Sequence, residues 1–237
     1  MATVTLCRPD VLNAQNPEMW VSLREFGRGL TGDVRVVVVR GEGRAFSAGL
    51  DRSAMTGDSL AELVTLPSER AEDRIAGFQQ GFSWLRRPDL ITIAAVQGHA
   101  IGAGFQLALA CDFRVLTDDA MFTMAEVTLG LVPDLTGTKR LVELVGYARA
   151  LEICVTGRRV PAPEAARIGL ANVVVAPADL DVAVADLAAA VLAGPRSAVI
   201  EIKALLAGAA GRGFAEQEAA ERAAQVRSLH ELAGLGE

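Results

Sequence analysis

Three glycines, Gly98, Gly102 and Gly104, sit within residues 97–106, Gln-Gly-His-Ala-Ile-Gly-Ala-Gly-Phe-Gln. A short apolar run with β-branched residues, 91–96, precedes them and Leu107-Ala108-Leu109-Ala110-Cys111 follows, which reads as strand, tight turn and helix start. The first N–H groups of a helix have no internal acceptor, and glycine lets another group approach the backbone closely, so such a turn attracts developing negative charge. Taken alone, the same turn also serves tight packing. The spacing Gly98-xxx-Gly102-x-Gly104 is not the dinucleotide pattern G-x-G-x-x-G, and no Lys-Ser or Lys-Thr follows as a P-loop requires. A second run of small residues, 45–51 (Ala-Phe-Ser-Ala-Gly-Leu-Asp), reads as the end of a strand where a backbone N–H is presented to a ligand.

The elements around these turns alternate. Residues 4–6 form a short strand; 13–16 turn the chain before Pro17 opens a helix whose Trp20, Leu23 and Phe26 fall at core spacing. Residues 34–39, Val-Arg-Val-Val-Val-Val, predict a strand buried on both faces, as parallel strands are. Residues 52–74 are polar and irregular, long enough to lie over a site as a lid, and 69–85 predict a helix. Strands follow at 91–96 and 113–116, with a short extended segment at 120–126. The alternation makes this an α/β chain. From Thr138 helices dominate, at 139–145, 148–155, 163–168, 179–193, 195–207 and 214–229, with one strand at 173–175.

With 237 residues and 51% hydrophobic composition, the chain can bury a sizeable core. A net charge of −6 disfavours a nucleic-acid partner, which needs clustered Lys and Arg. Cys7, Cys111 and Cys154 are odd in number and sit in apolar surroundings, which predicts buried free thiols and a cytoplasmic setting. Only His99 and His230 are available, so zinc and Ser-His-Asp chemistry have no support. Residues 91–111 are interrupted by Gln97, His99, Gln106 and glycines, which argues against a membrane span.

The two small-residue turns, followed by 125–134 (Ala-Glu-Val-Thr-Leu-Gly-Leu-Val-Pro-Asp), together resemble the crotonase, or enoyl-CoA hydratase/isomerase, family. The resemblance takes in Arg8-Pro9 with Leu12-Asn13-Ala14, Ala110-Cys111-Asp112, residues 151–157 and residues 165–170. It implies a spiral of ββα units over residues 1–178 as an acyl-CoA-binding core. Residues 179–237 are then a C-terminal helical region that builds homotrimers, often paired into hexamers. It also implies an acyl-CoA thioester as substrate and a place in fatty acid metabolism, with CoA entering only as part of the substrate and no metal or other cofactor.

By position, the resemblance assigns the thioester oxygen to the N–H groups of Leu50 and Ala103, with Ala48, Gly49 and Gly102 lining the substrate. Losing an α-proton, or gaining a nucleophile at C3, turns the thioester into an enolate whose charge two such donors stabilise. Hydratases of the family use two carboxylates. Gln106 stands at the first position and Glu126 at the second. Glutamine cannot exchange a proton at neutral pH, so proton work falls to Glu126, whose pKa a pocket of Phe122, Met124 and Leu131 would raise. Asp134 matches a working aspartate of some family isomerases; it could equally cap the helix that begins near Gly137. Arg44 and Arg52 could meet phosphates, although arginines beside a loop are usually just solvated. One carboxylate suffices for a double-bond shift, the preferred chemistry. Hydration with Gln106 holding water is the second reading, and acyl-CoA binding without turnover the third.

Overall fold

The computed structural model describes residues 1–53 and 58–234. Five strands make one sheet in the order β1 (Ala2–Leu6), β2 (Val36–Gly41), β3 (Ile91–Val96), β5 (Phe113–Thr117) and β8 (Val173–Val175), each pair parallel. A smaller sheet joins β4 (His99–Ile101), β6 (Met121–Thr123) and β7 (Arg159–Pro161); β4 and β6 run parallel, β6 and β7 antiparallel. Because strand side chains alternate, one face of the large sheet buries Val37, Val39, Ala94, Val96 and Leu116 in the main core. The other face puts Val36, Val38, Ile91, Ile93, Ala95 and Val115 against Leu180, Val184 and Ala188 of α8 (Leu180–Ala193). Burial on both faces is what the valine run predicted.

On the main-core side, α1 (Pro17–Gly29) is opened by Asn16, whose side chain accepts from the Met19 N–H, and by Pro17. It packs on α3 (Ser68–Ser83), with the Trp20 ring centroid 5.1 Å from that of Phe78. Trp20 and Leu23 are buried and Phe26 half-buried. Residues 52–74 are not irregular throughout: α2 (Asp58–Thr65) and the first turns of α3 occupy much of the stretch, while 54–57 lie outside the described residues. Ala, Glu and Arg favour helix there, and the apolar positions Leu60, Leu63 and Val64 cover only about two turns. Residues 45–51 form no strand. Lone parallel bridges hold them instead, Ser47 to Ala100 and Leu50 to Gln15.

The helix after the glycine turn is α4 (Ala103–Ala110), buried along its whole length. Then come α5 (Gly137–Val145), α6 (Tyr147–Thr156), α7 (Ala162–Arg167), α9 (Arg196–Ala209) and α10 (Phe214–Leu232). A partly buried ion pair ties α9 to the sheet: Lys203 Nζ lies 2.7 Å from Asp112 Oδ2, which also accepts from the Thr92 N–H at 2.8 Å. All three cysteines are free, but only Cys111 is buried; Cys154 is partly covered and Cys7, next to the edge strand β1, is exposed. Among the described residues, no single helix is long and apolar enough to cross a membrane.

Candidate active site

The two small-residue turns meet. Ser47 N–H donates to His99 O at 2.9 Å and Ile101 N–H donates to Ser47 O at 2.9 Å, which lays residues 45–51 along β4 just before α4 begins. Gly49 has φ +84°, and a Cβ built there would lie 2.4 Å from Ile101 O and 3.6 Å from Ala103 N. Only glycine allows this approach, and it brings the backbone at Leu50 beside the start of α4. The Gly102 N–H is occupied, donating to Thr123 O at 2.8 Å. Among the described residues, neither the Leu50 nor the Ala103 N–H has an acceptor. Ala103, as the first helical residue, has none inside α4 either. Ala48 N–H, by contrast, donates to Leu12 O at 2.8 Å.

Glu126 comes to the same place by another route. Phe122 of β6 stacks on Phe105 of α4, ring centroids 4.4 Å apart, and Met124 is fully buried, so the chain leaving β6 is anchored against α4 before a short 3-10 helix begins at Glu126. The Glu126 carboxylate then faces the start of α4: a Cβ on Gly102 would be 3.2 Å from Glu126 Oε1. Leu131, expected to cover it, is instead 44% exposed on the outside of the turn.

Gln106, at 1% exposure, bridges two parts of the site. Its Nε2 donates to Glu126 Oε1 at 2.7 Å, while its own Oε1 accepts from the Leu135 N–H at 2.8 Å and the Gly137 N–H at 3.3 Å. Glu126 Oε2 is buried without a hydrogen-bond partner among the described residues. Burial pushes the Glu126 carboxyl above its ordinary range and nearby Asp134 pushes the same way, against hydrogen bonds from its own backbone and from Gln106. Asp134 is itself raised by burial. It does not cap α5: Thr136 stands at the cap, in the left-handed region with φ 71° and with no cap hydrogen bond from its own side chain, and the Gly137 N–H of the first turn is met by Gln106 Oε1. The Asp134 carbonyl accepts from Gln79 Nε2 at 2.7 Å, which docks α3 on the site.

The sequence reading left out Asn13, Gln15 and Ser47, polar residues with no exposed surface. All three lie inside stretches quoted above, but the contacts that matter span more than thirty residues, as in the 3.1 Å bond from Gln15 Nε2 to Ser47 Oγ. Arg44 and Arg52 are exposed at the surface. A cavity of about 500 Å³, lined by Ile91, Ala110, Phe113, Val191, Lys203 and Leu206 among others, lies at the far end of α4 from Glu126 and includes none of the expected site residues.

Comparison with known proteins agrees with this architecture. The family model described as enoyl-CoA hydratase/isomerase matches residues 1–233. The Bacillus subtilis (strain 168) protein YngF, described as an enoyl-CoA hydratase/isomerase, is 37% identical over 206 residues, covering 86% of this chain and 76% of YngF. Two crystal structures of Thermobifida fusca YX chains assigned as enoyl-CoA hydratases superpose closely. One, in complex with CoA, has a TM-score of 0.92 at 49% identity, covering 98% of this chain and 90% of that one. The other, in complex with acetoacetyl-CoA, has a TM-score of 0.93 at 47% identity, covering 97% and 91%. The chain, with its crotonase fold, therefore belongs to the enoyl-CoA hydratase/isomerase family of enzymes.

Proposed function

We propose that this enzyme moves a proton on an acyl-CoA thioester, shifting a double bond between the 3,4 and 2,3 positions, with CoA entering only as part of the substrate. The observation that carries the reading is the Glu126 carboxylate, buried at the start of α4 with one oxygen held by Gln106 and the other without a hydrogen-bond partner among the described residues. In this reading the thioester oxygen lies against the N–H groups of Leu50 and Ala103, while Ala48, Gly49 and Gly102 shape the backbone around it. As Glu126 Oε2 takes the α-proton, the electron pair moves into the carbonyl and the charge settles on the oxygen between the two donors. Each such donor is worth roughly 3–4 kcal/mol of barrier, and the α4 dipole acts in the same direction. The dienolate then recovers a proton at C4 from Glu126. Asp134 keeps the Glu126 proton affinity high, or returns the proton itself.

The Thermobifida fusca complexes support the substrate class, since those similar chains are in complex with CoA and with acetoacetyl-CoA. Relatives described as enoyl-CoA or crotonyl-CoA hydratases favour a second reading, addition of water to a 2-enoyl-CoA. Against it stands Gln106, whose Oε1 is already occupied by two backbone N–H groups where a hydratase would carry a second carboxylate. We also read α9 and α10 as an assembly surface for a homotrimer or hexamer, because Leu206, Phe214 and Leu232 are more than 70% exposed on them. The unpaired cysteines fit a cytoplasmic setting.

The test is product analysis by mass and NMR after incubation with 3-enoyl-CoA and 2-enoyl-CoA of several chain lengths. Interconversion of the two, abolished in Glu126→Gln, is expected. A 3-hydroxyacyl product without interconversion would replace this reading with hydration.

A further inference from the structure

We propose that Gln15 and Ser47 are positioning residues that keep the Leu50 N–H aimed into the site as a preformed donor; the inference rests on reading that N–H as half of an oxyanion hole. Both side chains are polar yet wholly buried, so every hydrogen-bonding atom needs a partner. Ser47 Oγ donates to Asn13 O at 2.8 Å and accepts from Gln15 Nε2 at 3.1 Å and from the Gly49 N–H at 3.2 Å. That uses the one proton and both lone pairs of a hydroxyl.

Gln15 is fixed in turn by Trp20, whose indole N–H donates to Gln15 Oε1 at 2.9 Å while the ring packs on Phe78 and Phe82. Its backbone completes the hold: Gln15 N–H donates to Gly49 O at 2.6 Å, and Asp51 N–H donates to Gln15 O at 2.7 Å. In a planar trans peptide the N–H points opposite to the carbonyl oxygen. Tying Gly49 O to Gln15 therefore turns the Leu50 N–H to the other side, where it meets no acceptor among the described residues. Leu12 and Asn13, both with φ near +54°, are held in a conformation unfavourable for side chains, and their carbonyls accept from the Ala48 N–H and the Ser47 hydroxyl. Such a hold places a donor before substrate arrives, so none of the reorganisation falls on the reaction.

Acetoacetyl-CoA tests this independently of turnover, because donors at its thioester oxygen raise the enolate fraction of the bound ligand, read from its ultraviolet absorbance. With full-length protein at saturating ligand, the wild type is expected to raise the enolate-to-keto ratio, and Ser47→Ala and Gln15→Met each to lower that ratio by about tenfold, short of the loss of a whole donor. The affinity for CoA itself should stay within about twofold. Trp20→Phe, which removes the indole N–H from Gln15 along with part of a buried ring but leaves Gln15 and Ser47 themselves in place, should lower the ratio by about threefold and carries the test if the other two variants fail to fold. Folded variants that keep the wild-type ratio would overturn the positioning role while leaving the oxyanion hole intact. A wild type that does not raise the ratio at all would overturn the oxyanion reading, and this inference with it.

Discussion

Glu126 holds its two carboxylate oxygens in unlike surroundings, Oε1 against Gln106 Nε2 and Oε2 without a hydrogen-bond partner among the described residues. The free oxygen is the one able to accept a proton without first giving up a bond. Burial raises the carboxyl, so the protonated form is favoured in the folded chain beyond the usual carboxylate range. Stability from this group is therefore lost as pH rises from that range through the raised value, while a base reaction gains, because only the ionised form accepts a proton. We expect kcat/KM for 3-enoyl-CoA to climb with pH to a plateau, its limb set by Glu126. Asp134→Asn removes a charge that raises Glu126 and should move the limb to lower pH. A limb that stays in place would separate Asp134 from the titration of Glu126. Glu126 and Gln106 were legible in the sequence as members of a known pattern. That Gln106 spends its carbonyl oxygen on the backbone of residues 135–137 was not, because those contacts cross some thirty residues.

At the scale of elements, the site is the junction of α4 with residues 45–51. A Cβ on Gly104 would lie 2.7 Å from both the Cβ and the carbonyl oxygen of Ser47, so the two segments touch backbone to backbone. Gly104→Ala must push them apart, and with them the N–H groups of Leu50 and Ala103. The expected cost is about 1–3 kcal/mol of stability, measured by chemical denaturation, with a loss of kcat of about tenfold or more. Wild-type kcat at reduced stability would mean that the junction tolerates the shift. Strand-helix alternation and the glycine turn were readable because apolar periodicity and glycine spacing are local signals. Residues 45–51 were mistaken for a strand end because isolated bridges, not a ladder, hold them. Asp134 was mistaken for a possible cap because nothing in the sequence marks Thr136 as left-handed.

Across the molecule, the large sheet is closed by two unlike layers: α1, α3 and α4 over the main core, and α8 over the opposite face. α9 continues from the second layer and is pinned by Lys203, which bonds both Asp112 Oδ2 at 2.7 Å and Leu90 O at 2.6 Å. Lys203→Met leaves the partly buried Asp112 beside Thr92 without its cation, and should destabilise the fold by about 1–2 kcal/mol in denaturant titrations. An unchanged midpoint would mean that α9 is held by its apolar contacts alone. The helical tail was evident from composition and periodicity, but its attachment through one lysine could not be read from a helix that looks merely amphipathic.

The central claim is that Glu126 carries the proton, and exchange reports it before any product forms. The protein is incubated in deuterated water with a saturated acyl-CoA, which can enolise but has no double bond to move, and mass spectrometry follows deuterium entering at the α-carbon. Wild type is expected to exchange, Gln106→Leu to exchange more slowly, and Glu126→Gln to fall at least a hundredfold below wild type at equal ligand occupancy. Exchange that persists at the wild-type rate in Glu126→Gln would show that another group takes the proton and would contradict the account.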